Sequence, residues 1–532
     1  MSTETFRSGL TSGRFPYGAE LVSTRGIPAP GERSKLLDLG SALLADPRIG
    51  WVSITDNPGG NPMLPPDWIA GMLAQYRDQV VIHLTCKDLN RNGLESAAWR
   101  YALEGFHHIL ALSGDYPVTG HGGVARPVFD IDSVSLIALL QSMNDGLEVR
   151  DHKGQLTRFP KTDFYIGCAV SPFKRHEREL MPQYFKLAKK IQSGSQWVIP
   201  QLGYDMRKFH EIQLFLRRAG LSVPVIGTVY LLNRTVANIF HRGEIPGCVV
   251  TDDLLALAEK YGAGPDHGRA FFLELAAKQL AVFRGLGFAA GHLAGTSKPE
   301  LFFKIIELAE SFGANDWRQF AREIQFHQPG EFYLFEQDPQ TGLGNPDRLN
   351  PEYVRSLEQP PATRQVTFGY RFSRFLHDRL FVPGTTGYRL LQRLYRHWDT
   401  NPSGLAHAAH ELEKLSKFIG YGCRDCGDCS LPDIANLCPL SSCAKDMRNG
   451  PCGGTRDGRC EVRELNKECI WARAYERMKF YRESETMLNR PPVFYNAKLK
   501  NTSAWANTFL NRDHHARAED AGNTGKNVTT AR

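Results

Sequence analysis

A dense group of cysteines carries the clearest chemistry in this sequence. Of the 11 cysteines, eight lie between Cys423 and Cys469. Four soft thiolate ligands suit a [4Fe–4S] cluster or a zinc ion, and three cysteines separated by two residues each are a usual iron–sulfur signature. The sequence therefore favours up to two [4Fe–4S] clusters, with zinc as the alternative, on the eight thiolates of Cys423-x2-Cys426-x2-Cys429-x8-Cys438 and Cys443-x8-Cys452-x7-Cys460-x8-Cys469. The spacing leaves open which cysteines share a centre.

Composition and charge narrow the class of protein. A chain of 532 residues is too long for one ordinary core, which predicts two or three domains. The net charge of +7 comes from 64 basic and 57 acidic residues, and without a block of five Lys or Arg we expect no nucleic-acid partner. Because no run of 18 apolar residues and no apolar leader occurs, we expect a cytoplasmic protein with no membrane partner. In that compartment dense cysteines favour metal binding over disulfides.

Eight short apolar runs alternate with helical patterns over residues 1–312. Most of the runs are almost continuously apolar, as strands buried on both faces should be. Eight strands with intervening helices predict an α/β fold, a parallel (βα)₈ barrel of the TIM type. The predicted strands are Tyr17–Val22, Trp51–Asp56, Val80–Cys86, His107–Asp115, Phe164–Ser171, Trp197–Tyr204, Val223–Leu232 and Gly287–Gly295.

The rest of the chain has a different pattern. Residues 313–420 form a predicted helical connecting region, with helices over Phe368–Leu380, Tyr388–Asp399 and Leu405–Phe418. A small cysteine-rich domain is predicted over 421–515, and a basic-aromatic helix within it runs from beyond Cys469 to about Arg490. The polar residues 516–532 are predicted to be a disordered tail.

The cysteine-rich segment resembles a known domain. The run from Cys438 through Cys443-Ala-Lys-Asp-Met-Arg-Asn-Gly-Pro-Cys452-Gly-Gly to Gly458-Arg-Cys460-Glu-Val is similar to the C-terminal domain found with methylenetetrahydrofolate reductases. Relatives of that domain in acetogenic bacteria carry iron–sulfur clusters, so the resemblance also favours clusters over zinc.

The barrel resembles the flavin-dependent barrel of the same family. The matching motifs are Val52-Ser-Ile-Thr55, His83-Leu-Thr-Cys86, Ala111-Leu-Ser-Gly-Asp-Tyr-Pro117 and Ile199-Pro-Gln201, which fall in order on predicted strand ends. The resemblance implies that Glu20 is the general acid, that Asp115 tunes flavin and pterin, and that Gln201 binds the pterin edge.

A flavin, FAD with FMN as an alternative, is the implied cofactor. Ser113 stands where family members often have arginine, and Arg175 or His176 is a candidate replacement. No aromatic residue is evident in place of the phenylalanine that follows strand seven in the family, so NAD(P)H is only one possible electron donor, and no Gly-x-Gly-x-x-Gly motif occurs. The implied flavin-binding residues are Thr55, His83, Ser113, Gly114, Asp115, Ala169 and Lys190.

The resemblance implies an enzyme of one-carbon metabolism. We expect it to interconvert 5,10-methylenetetrahydrofolate and 5-methyltetrahydrofolate by hydride transfer, with tetrahydrofolates as substrates. Two alternatives stay open: an electron-transfer or scaffolding subunit with an inactive barrel, and a folate-dependent methyltransferase without flavin. A redox partner protein and a homo-oligomeric state are further expectations.

Overall fold

Eight parallel strands form the central sheet of the computed structural model, which describes residues 5–150, 153–401 and 404–516. All eight predicted strands are present. Seven are shorter than their apolar runs, and the second has the predicted length but begins two residues earlier. They are β1 (Tyr17–Leu21), β2 (Ile49–Ile54), β3 (Val80–Thr85), β4 (His108–Leu112), β5 (Tyr165–Val170), β6 (Trp197–Pro200), β7 (Ile226–Tyr230) and β8 (Ala290–Ala294).

The sheet closes into a barrel. Neighbouring strands pair in the order β6-β5-β4-β3-β2-β1-β8-β7, and all of these pairings are parallel. The two remaining edges meet where Val198 of β6 bridges Val225, with the Val198 N–H donating to the Pro224 carbonyl at 2.9 Å. The predicted (βα)₈ fold class is therefore confirmed, and the carboxyl ends of all eight strands lie at one end of the barrel.

Local capping residues set many of the helix ends. The Asn90 side chain accepts from the Gly93 N–H at 3.0 Å, and Asp132 accepts from Val134 and Ser135 at 3.1 Å, so the free N–H groups of these first turns are satisfied. The barrel helices and those that follow them in the chain are α1 (Phe6–Gly9), α2 (Pro30–Ala45), α3 (Pro66–Met72), α4 (Arg91–Glu104), α5 (Ser133–Asp145), α6 (Glu177–Gln192), α7 (Met206–Arg218), α8 (Arg234–His241), α9 (Asp252–Gly262), α10 (Arg269–Gly285), α11 (Pro299–Ser311), α12 (Trp317–Glu323) and α13 (Pro351–Glu358).

Two short antiparallel strand pairs lie outside the barrel sheet. One joins Glu148–Arg150 to Leu156–Arg158, and the other joins Phe335–Gln337 to Gly344–Leu349. Neither pair was predicted, because strands of three to six residues in polar segments leave no apolar alternation to detect.

An aromatic plug fills the amino end of the barrel. The Phe6 ring of α1 lies 5.0 Å from Trp51 and 5.1 Å from Trp197, centroid to centroid. Glycines make room for these indoles, since a Cβ at Gly18 would lie 2.1 Å from the Trp51 ring. One end of the barrel is thus filled by a packed core, which leaves the carboxyl ends of the strands for polar groups.

The chain folds into two compact units. The first extends to Val354 and also includes Cys452–Lys467, while the second comprises Arg355–Pro451 and the chain from Glu468 onward. The segment Cys452–Lys467 therefore belongs with the barrel, although it lies inside the cysteine-rich region of the sequence. Of the predicted tail 516–532, everything from residue 517 lies outside the described residues.

Helices and an aromatic cluster build the second unit. The cluster contains Tyr388, Tyr395 and Phe509, and Arg374 holds Glu483 through two hydrogen bonds of 2.8 and 2.5 Å. The three helices predicted before the cysteines are present. The helices of this unit are α14 (Phe368–Leu380), α15 (Thr386–Thr400), α16 (Gly404–Tyr421), α17 (Pro439–Ser442), α18 (Ile470–Phe480) and α19 (Ala504–Phe509).

The helix after Cys469 ends earlier than predicted. It stops at Phe480, not near Arg490. Arg482 takes a left-handed φ of 59°, and the Glu483 N–H turns back to the Met478 carbonyl at 2.8 Å, which is the hydrogen bonding of a helix C-cap. Among the described helices, none combines the length and apolar character needed to span a membrane.

Replacing the aromatic plug tests its contribution to stability. Phe6 is 1% exposed, and removing a buried phenylalanine ring costs about 3 kcal/mol through lost transfer energy and cavity formation. We expect Phe6→Ala to lower the free energy of unfolding by that amount in urea denaturation. Leu103→Ala, at a side chain that is 89% exposed, is the matched control and should leave it unchanged.

Candidate functional site

Glu20 stands at the carboxyl end of the first strand. It lies opposite Ser53 in the register of β1 and β2. Burial raises the pKa of Glu20 to about 7, and the side chains of Tyr230 and Cys248 are near enough to sense its charge. A carboxyl group whose pKa is raised by desolvation is partly protonated at neutral pH and can act as a proton donor.

Asp115 and Gln201 lie near the same two loop residues, Gly247 and Cys248, and Cys248 is also near Glu20. The Asp115 carboxylate accepts from the Gly59 N–H at 2.9 Å and also acts electrostatically on Cys248. The Gln201 side-chain oxygen accepts from the Leu202 N–H at 2.9 Å. A Cβ on Gly247 would lie 3.3 Å from the Gln201 amide nitrogen. Gln201 therefore lies beside Gly247, and the next residue, Cys248, is the one near Glu20 and Asp115.

Three of the predicted flavin-binding residues lie in or directly after adjacent strands. Thr55 follows β2, with its N–H bonded to the Leu21 carbonyl at 3.1 Å. His83 is buried in β3, where burial lowers its pKa to about 3 and keeps the imidazole neutral. Ser113 follows β4 and donates to the Ser133 hydroxyl, 3.2 Å away, at the start of α5.

A buried lysine beside Gly114 was not predicted from the sequence. Gly114 has a φ of 83°, and a Cβ there would lie 3.0 Å from the Lys87 and Thr85 side chains. Lys87 is 0% exposed, and its ammonium donates to Asp88 at 2.7 Å. The Asp56 carboxylate accepts from the Thr85 N–H and hydroxyl at 2.9 and 2.6 Å. The signal in the sequence was the pair Lys87-Asp88, two charged residues close behind the buried strand β3.

Lys190 projects from α6 toward the end of β5. Its ammonium donates to the Ala169 carbonyl at 2.7 Å. Burial lowers the pKa of Lys190 to about 8, with a smaller contribution from the neighbouring charge of Lys186. No carboxylate forms an ion pair with Lys190 in the described part of the chain. A buried cation held by a neutral carbonyl suits an anionic ligand such as a phosphate.

An aromatic residue ends the seventh strand. Tyr230 closes β7, and its ring meets Phe240 edge-on at 5.3 Å.

The two candidate replacements for the family arginine lie beside Asp457. The Arg175 guanidinium is 3.5 Å and the His176 ring 3.8 Å from the same Asp457 oxygen. Arg175 also donates to the Pro329 carbonyl at 3.0 Å. Both side chains therefore have partners of their own within the first unit.

The first four cysteines converge in the second unit. Cys423, Cys426, Cys429 and Cys438 line one small cavity. Burial raises the pKa of the Cys426 thiol to about 12, so metal binding there would displace a proton. No three of these four sulfurs lie within 4.8 Å of one another in the described chain, whereas a tetrahedral zinc with ~2.3 Å bonds holds its sulfurs about 3.8 Å apart.

Two buried cations flank this cavity. Arg448 lines it, donates to the Ser430 hydroxyl at 2.9 Å and acts electrostatically on Cys426. Lys417 pairs with Glu413 at 2.6 Å and interacts electrostatically with Cys423 and Cys429. These cations would offset the negative charge of four thiolates.

The second set of four cysteines is divided between the units. Cys452 and Cys460 belong to the first unit, and Cys443 and Cys469 to the second. Within the first unit, Cys452 donates from its thiol to Glu461 at 3.4 Å. That these cysteines bind a metal stays a prediction, and which of them share a centre is left open by the sequence.

A histidine–aspartate group in the second unit was not singled out from the sequence. The ligand atoms of Asp433, His514 and His515 lie within 4.8 Å of one another. Although burial works against protonation, hydrogen bonds to Asp428 and Asp433 raise the pKa of His514 to about 9. The charged imidazolium form of His514 is thus favoured between two carboxylates, which stabilises the fold around the cysteines.

A closed parallel barrel with polar groups at the carboxyl ends of its strands defines a (βα)₈ protein that carries its site at that end. Residues 41–308 match the family model described as methylenetetrahydrofolate reductase. Residues 403–494 match the model described as methylene-tetrahydrofolate reductase C terminal. The chain belongs to the methylenetetrahydrofolate reductase family, as the sequence motifs predicted.

Relatives match over part of their length. The 5,10-methylenetetrahydrofolate reductase of Salmonella typhimurium is 26% identical over 145 residues, which cover 27% of this chain and 41% of that protein. Methylenetetrahydrofolate reductase 2 of Schizosaccharomyces pombe is 23% identical over 219 residues, or 38% of this chain and 31% of that protein. The chain thus spans less than half of either relative.

Solved structures matched by the chain are more distant. One is an uncharacterized protein from Clostridium thermocellum that binds two copies of 5-methyl-5,6,7,8-tetrahydrofolic acid. It is 12% identical with a TM-score of 0.41, and the match covers 57% of this chain and 96% of that one. A likeness at this level adds nothing to the assignment.

Removing one sulfur tests the four-cysteine cavity. We expect Cys426→Ala to lower the metal bound per chain, because three remaining sulfurs bind a metal or cluster more weakly than four. Elemental analysis of protein purified without oxygen is the measurement. Cys168→Ala, which removes a buried thiol from β5, is the control and should leave the metal content unchanged. Equal metal content in both variants would rule out this cavity as a metal site.

Proposed function

We propose that this chain is a flavin-dependent oxidoreductase that interconverts 5,10-methylenetetrahydrofolate and 5-methyltetrahydrofolate. The observation that carries the proposal is the desolvated carboxyl of Glu20 at the barrel mouth, with a pKa near 7. The family assignment supports the reaction class. Asp115 and Gln201, the polar residues near Glu20, have side chains that can hydrogen-bond a pterin.

Glu20 is the proposed general acid. Opening the methylene bridge of the folate leaves an amine nitrogen that must gain a proton, and an acid with a pKa near the working pH transfers it most effectively. The Glu20 carboxyl meets that condition through burial, without depending on a charged partner.

Asp115 and Gln201 are the proposed pterin-binding residues. A carboxylate can accept two hydrogen bonds from an amino-pyrimidine edge, and an amide offers both a donor and an acceptor. The Gly59 N–H fixes one Asp115 oxygen at 2.9 Å, and the Leu202 N–H fixes the Gln201 oxygen. Each side chain keeps further hydrogen-bonding capacity for a ligand.

The ends of β2 to β5 supply groups that fit a flavin. When bound, a flavin would supply the hydride chemistry. Lys190 offers a buried cation for its phosphate, and Gly114 permits close approach because it has no side chain and takes a left-handed φ. We propose that these two residues, with Thr55, His83, Ser113, Asp115 and Ala169, hold the flavin.

We further propose that the first four cysteines bind a [4Fe–4S] cluster. Cysteines separated by two residues each are a usual iron–sulfur signature, and all four sulfurs line one cavity. Arg448 and Lys417 favour the more negative, reduced state of such a cluster. A cluster would let electrons come from a redox partner protein as well as from NAD(P)H.

Substitution of Glu20 tests the acid assignment. We expect Glu20→Gln to lower kcat for folate turnover by roughly 10²–10⁴-fold, because the amide has no proton to transfer. In the unchanged enzyme the reduction rate should fall as the pH rises above about 7, since the acid form of Glu20 is lost there. Steady-state kinetics across pH measure both effects.

The matched control is Glu104→Gln, at an exposed carboxylate on α4. It should retain full turnover and the same pH profile. Reduction of the bound flavin by an artificial donor should survive Glu20→Gln. If folate turnover also survives, Glu20 is not the acid.

An electron-transfer subunit is the second candidate function, favoured by the four-sulfur cavity in a unit of its own. The absorbance spectrum of protein purified without oxygen distinguishes the candidates. We expect flavin bands together with the broad absorbance of an iron–sulfur cluster. Cluster absorbance without flavin would favour the electron-transfer subunit, and colourless protein containing zinc would exclude the cluster.

A further inference from the structure

Two adjacent histidines in the second unit face one carboxylate. The rings of His514 and His515 have centroids 4.0 Å apart and are tilted by 35°. One oxygen of Asp433 lies 3.1 Å from His514 Nε2, and the other lies 3.4 Å from His515 Nε2. Both imidazoles therefore present the same ring nitrogen to the Asp433 carboxylate.

The other ring nitrogen of each histidine faces a carboxylate of its own. His514 Nδ1 lies 2.5 Å from Asp428, and His515 Nδ1 lies 3.5 Å from Asp513. A carboxylate on Nδ1 fixes the orientation of the ring and leaves Nε2 to bind a metal, which is the usual arrangement behind a histidine ligand. The two rings are thus oriented as metal ligands are.

The fold holds these two outer carboxylates in place through other contacts. Asp428 is 0% exposed and accepts from the backbone N–H groups of Asn496 at 2.7 Å and His514 at 3.1 Å. Asp513 is 2% exposed and accepts from the Thr508 hydroxyl at 2.7 Å. The carboxylates that orient the rings are therefore fixed independently of any ion.

The spacing of the inner ligand atoms fits a small tetrahedral ion. Zinc binds histidine nitrogen and carboxylate oxygen at about 2.0–2.2 Å, which places ligand atoms about 3.3 Å apart. The two distances from Asp433, 3.1 and 3.4 Å, lie on either side of that value. The side chain of His515 is 44% exposed and that of Asp433 is 20% exposed, which gives an ion and a fourth, water ligand access from solvent.

The charges around the rings also favour a metal ion. When both imidazoles carry a proton, two positive rings lie 4.0 Å apart and repel each other. A divalent ion would displace these protons and leave both rings neutral around one shared charge. The carboxylates that favour the charged form of His514 would then stabilise the bound ion.

The group lies next to the four-cysteine cavity. Asp433 belongs to the turn Pro432–Ile434, and Leu431, directly before that turn, lines the cavity. The carbonyl of Asp428 accepts from the Cys426 thiol at 3.3 Å. An ion on Asp433 would therefore hold the loop that carries part of the cavity wall.

We propose that Asp433, His514 and His515 form a further metal site, which binds a zinc ion and fastens the segment after α19 to the loop beside the four-cysteine cavity. The ligands are nitrogen and oxygen, so the site is chemically distinct from the cysteines. Its role is structural, because the ion joins two parts of the second unit that are far apart in sequence. The inference does not depend on the reaction at the barrel.

The experiment compares the full-length chain with His515→Gln, a change at a half-exposed ring. Both proteins are purified without oxygen, supplied with zinc and dialysed against a weak chelator. We expect the unchanged chain to retain one zinc bound through nitrogen and oxygen at about 2.0 Å, which X-ray absorption at the zinc edge distinguishes from sulfur at about 2.3 Å. His515→Gln should lose this zinc.

A second variant changes only the carboxylate behind one ligand. Asp513→Asn should weaken zinc binding by roughly 10–100-fold in competition with a chelating dye, because His515 loses the group that orients its ring. This variant also replaces His515→Gln as the test if that protein fails to fold.

The matched control is His407→Gln, at an exposed histidine on α16, which should retain the zinc. Cys426→Ala should retain it as well, since the site contains no sulfur. Zinc bound only through sulfur, or nitrogen-bound zinc that is unchanged in His515→Gln and Asp513→Asn, overturns the proposal. Failure to retain any zinc also overturns it and makes the group an ion-pair cluster only.

Thermal unfolding tests the structural role of the ion. An ion that binds the folded chain stabilises it, so added zinc should raise the Tm of the unchanged chain and of His407→Gln. It should leave the Tm of His515→Gln where it was. Zinc that binds at the site without raising the Tm would overturn the structural role.

Discussion

Closure of the parallel barrel is the constraint on which the site depends. Eight strands run in one direction, and the hydrogen bond from Val198 to Pro224 joins the last two edges. Residues far apart in sequence, such as Glu20, Asp115 and Gln201, follow strands that end at one rim. The plug at Phe6 fills the other end with aromatic packing, so the polar groups collect where the barrel is open.

Burial of charge sets the chemistry of that rim. Desolvation raises the pKa of Glu20 to about 7 and lowers those of Lys190 and His83 to about 8 and about 3. In each case burial is the largest cause, and it favours the neutral form. A site built in this way holds a protonated carboxyl and a neutral imidazole near pH 7 without opposing charges nearby. Its lysine then gains most from an anionic ligand, because the ligand restores the interactions that burial removed.

The sequence predicted the parts of this structure that depend on local pattern. Eight apolar runs became eight strands, because strands covered on both faces must be apolar along their length. The cysteine spacing predicted metal-binding thiolates but not their pairing, and the structure lines one cavity with the first four, from Cys423 to Cys438. Lys87 was missed, because the direction of a side chain beyond a strand end is set by tertiary packing. The early end of α18 was missed because Arg482 takes a left-handed φ that an arginine seldom adopts.

The placement of Cys452–Lys467 with the barrel could not follow from local pattern either. The glycines around Cys452 predict tight turns, but they do not predict where the carbonyls of those turns will point. A Cβ at Gly454 would lie 1.5 Å from the Glu461 carboxylate, so only glycine fits there, and the Gly453 and Thr455 carbonyls on either side of it bind the buried Lys174 ammonium. Lys174 comes from a loop at the barrel mouth and its acceptors come from the cysteine-rich sequence. The two hydrogen bonds from the Lys174 ammonium thus join the two regions, which must fit each other.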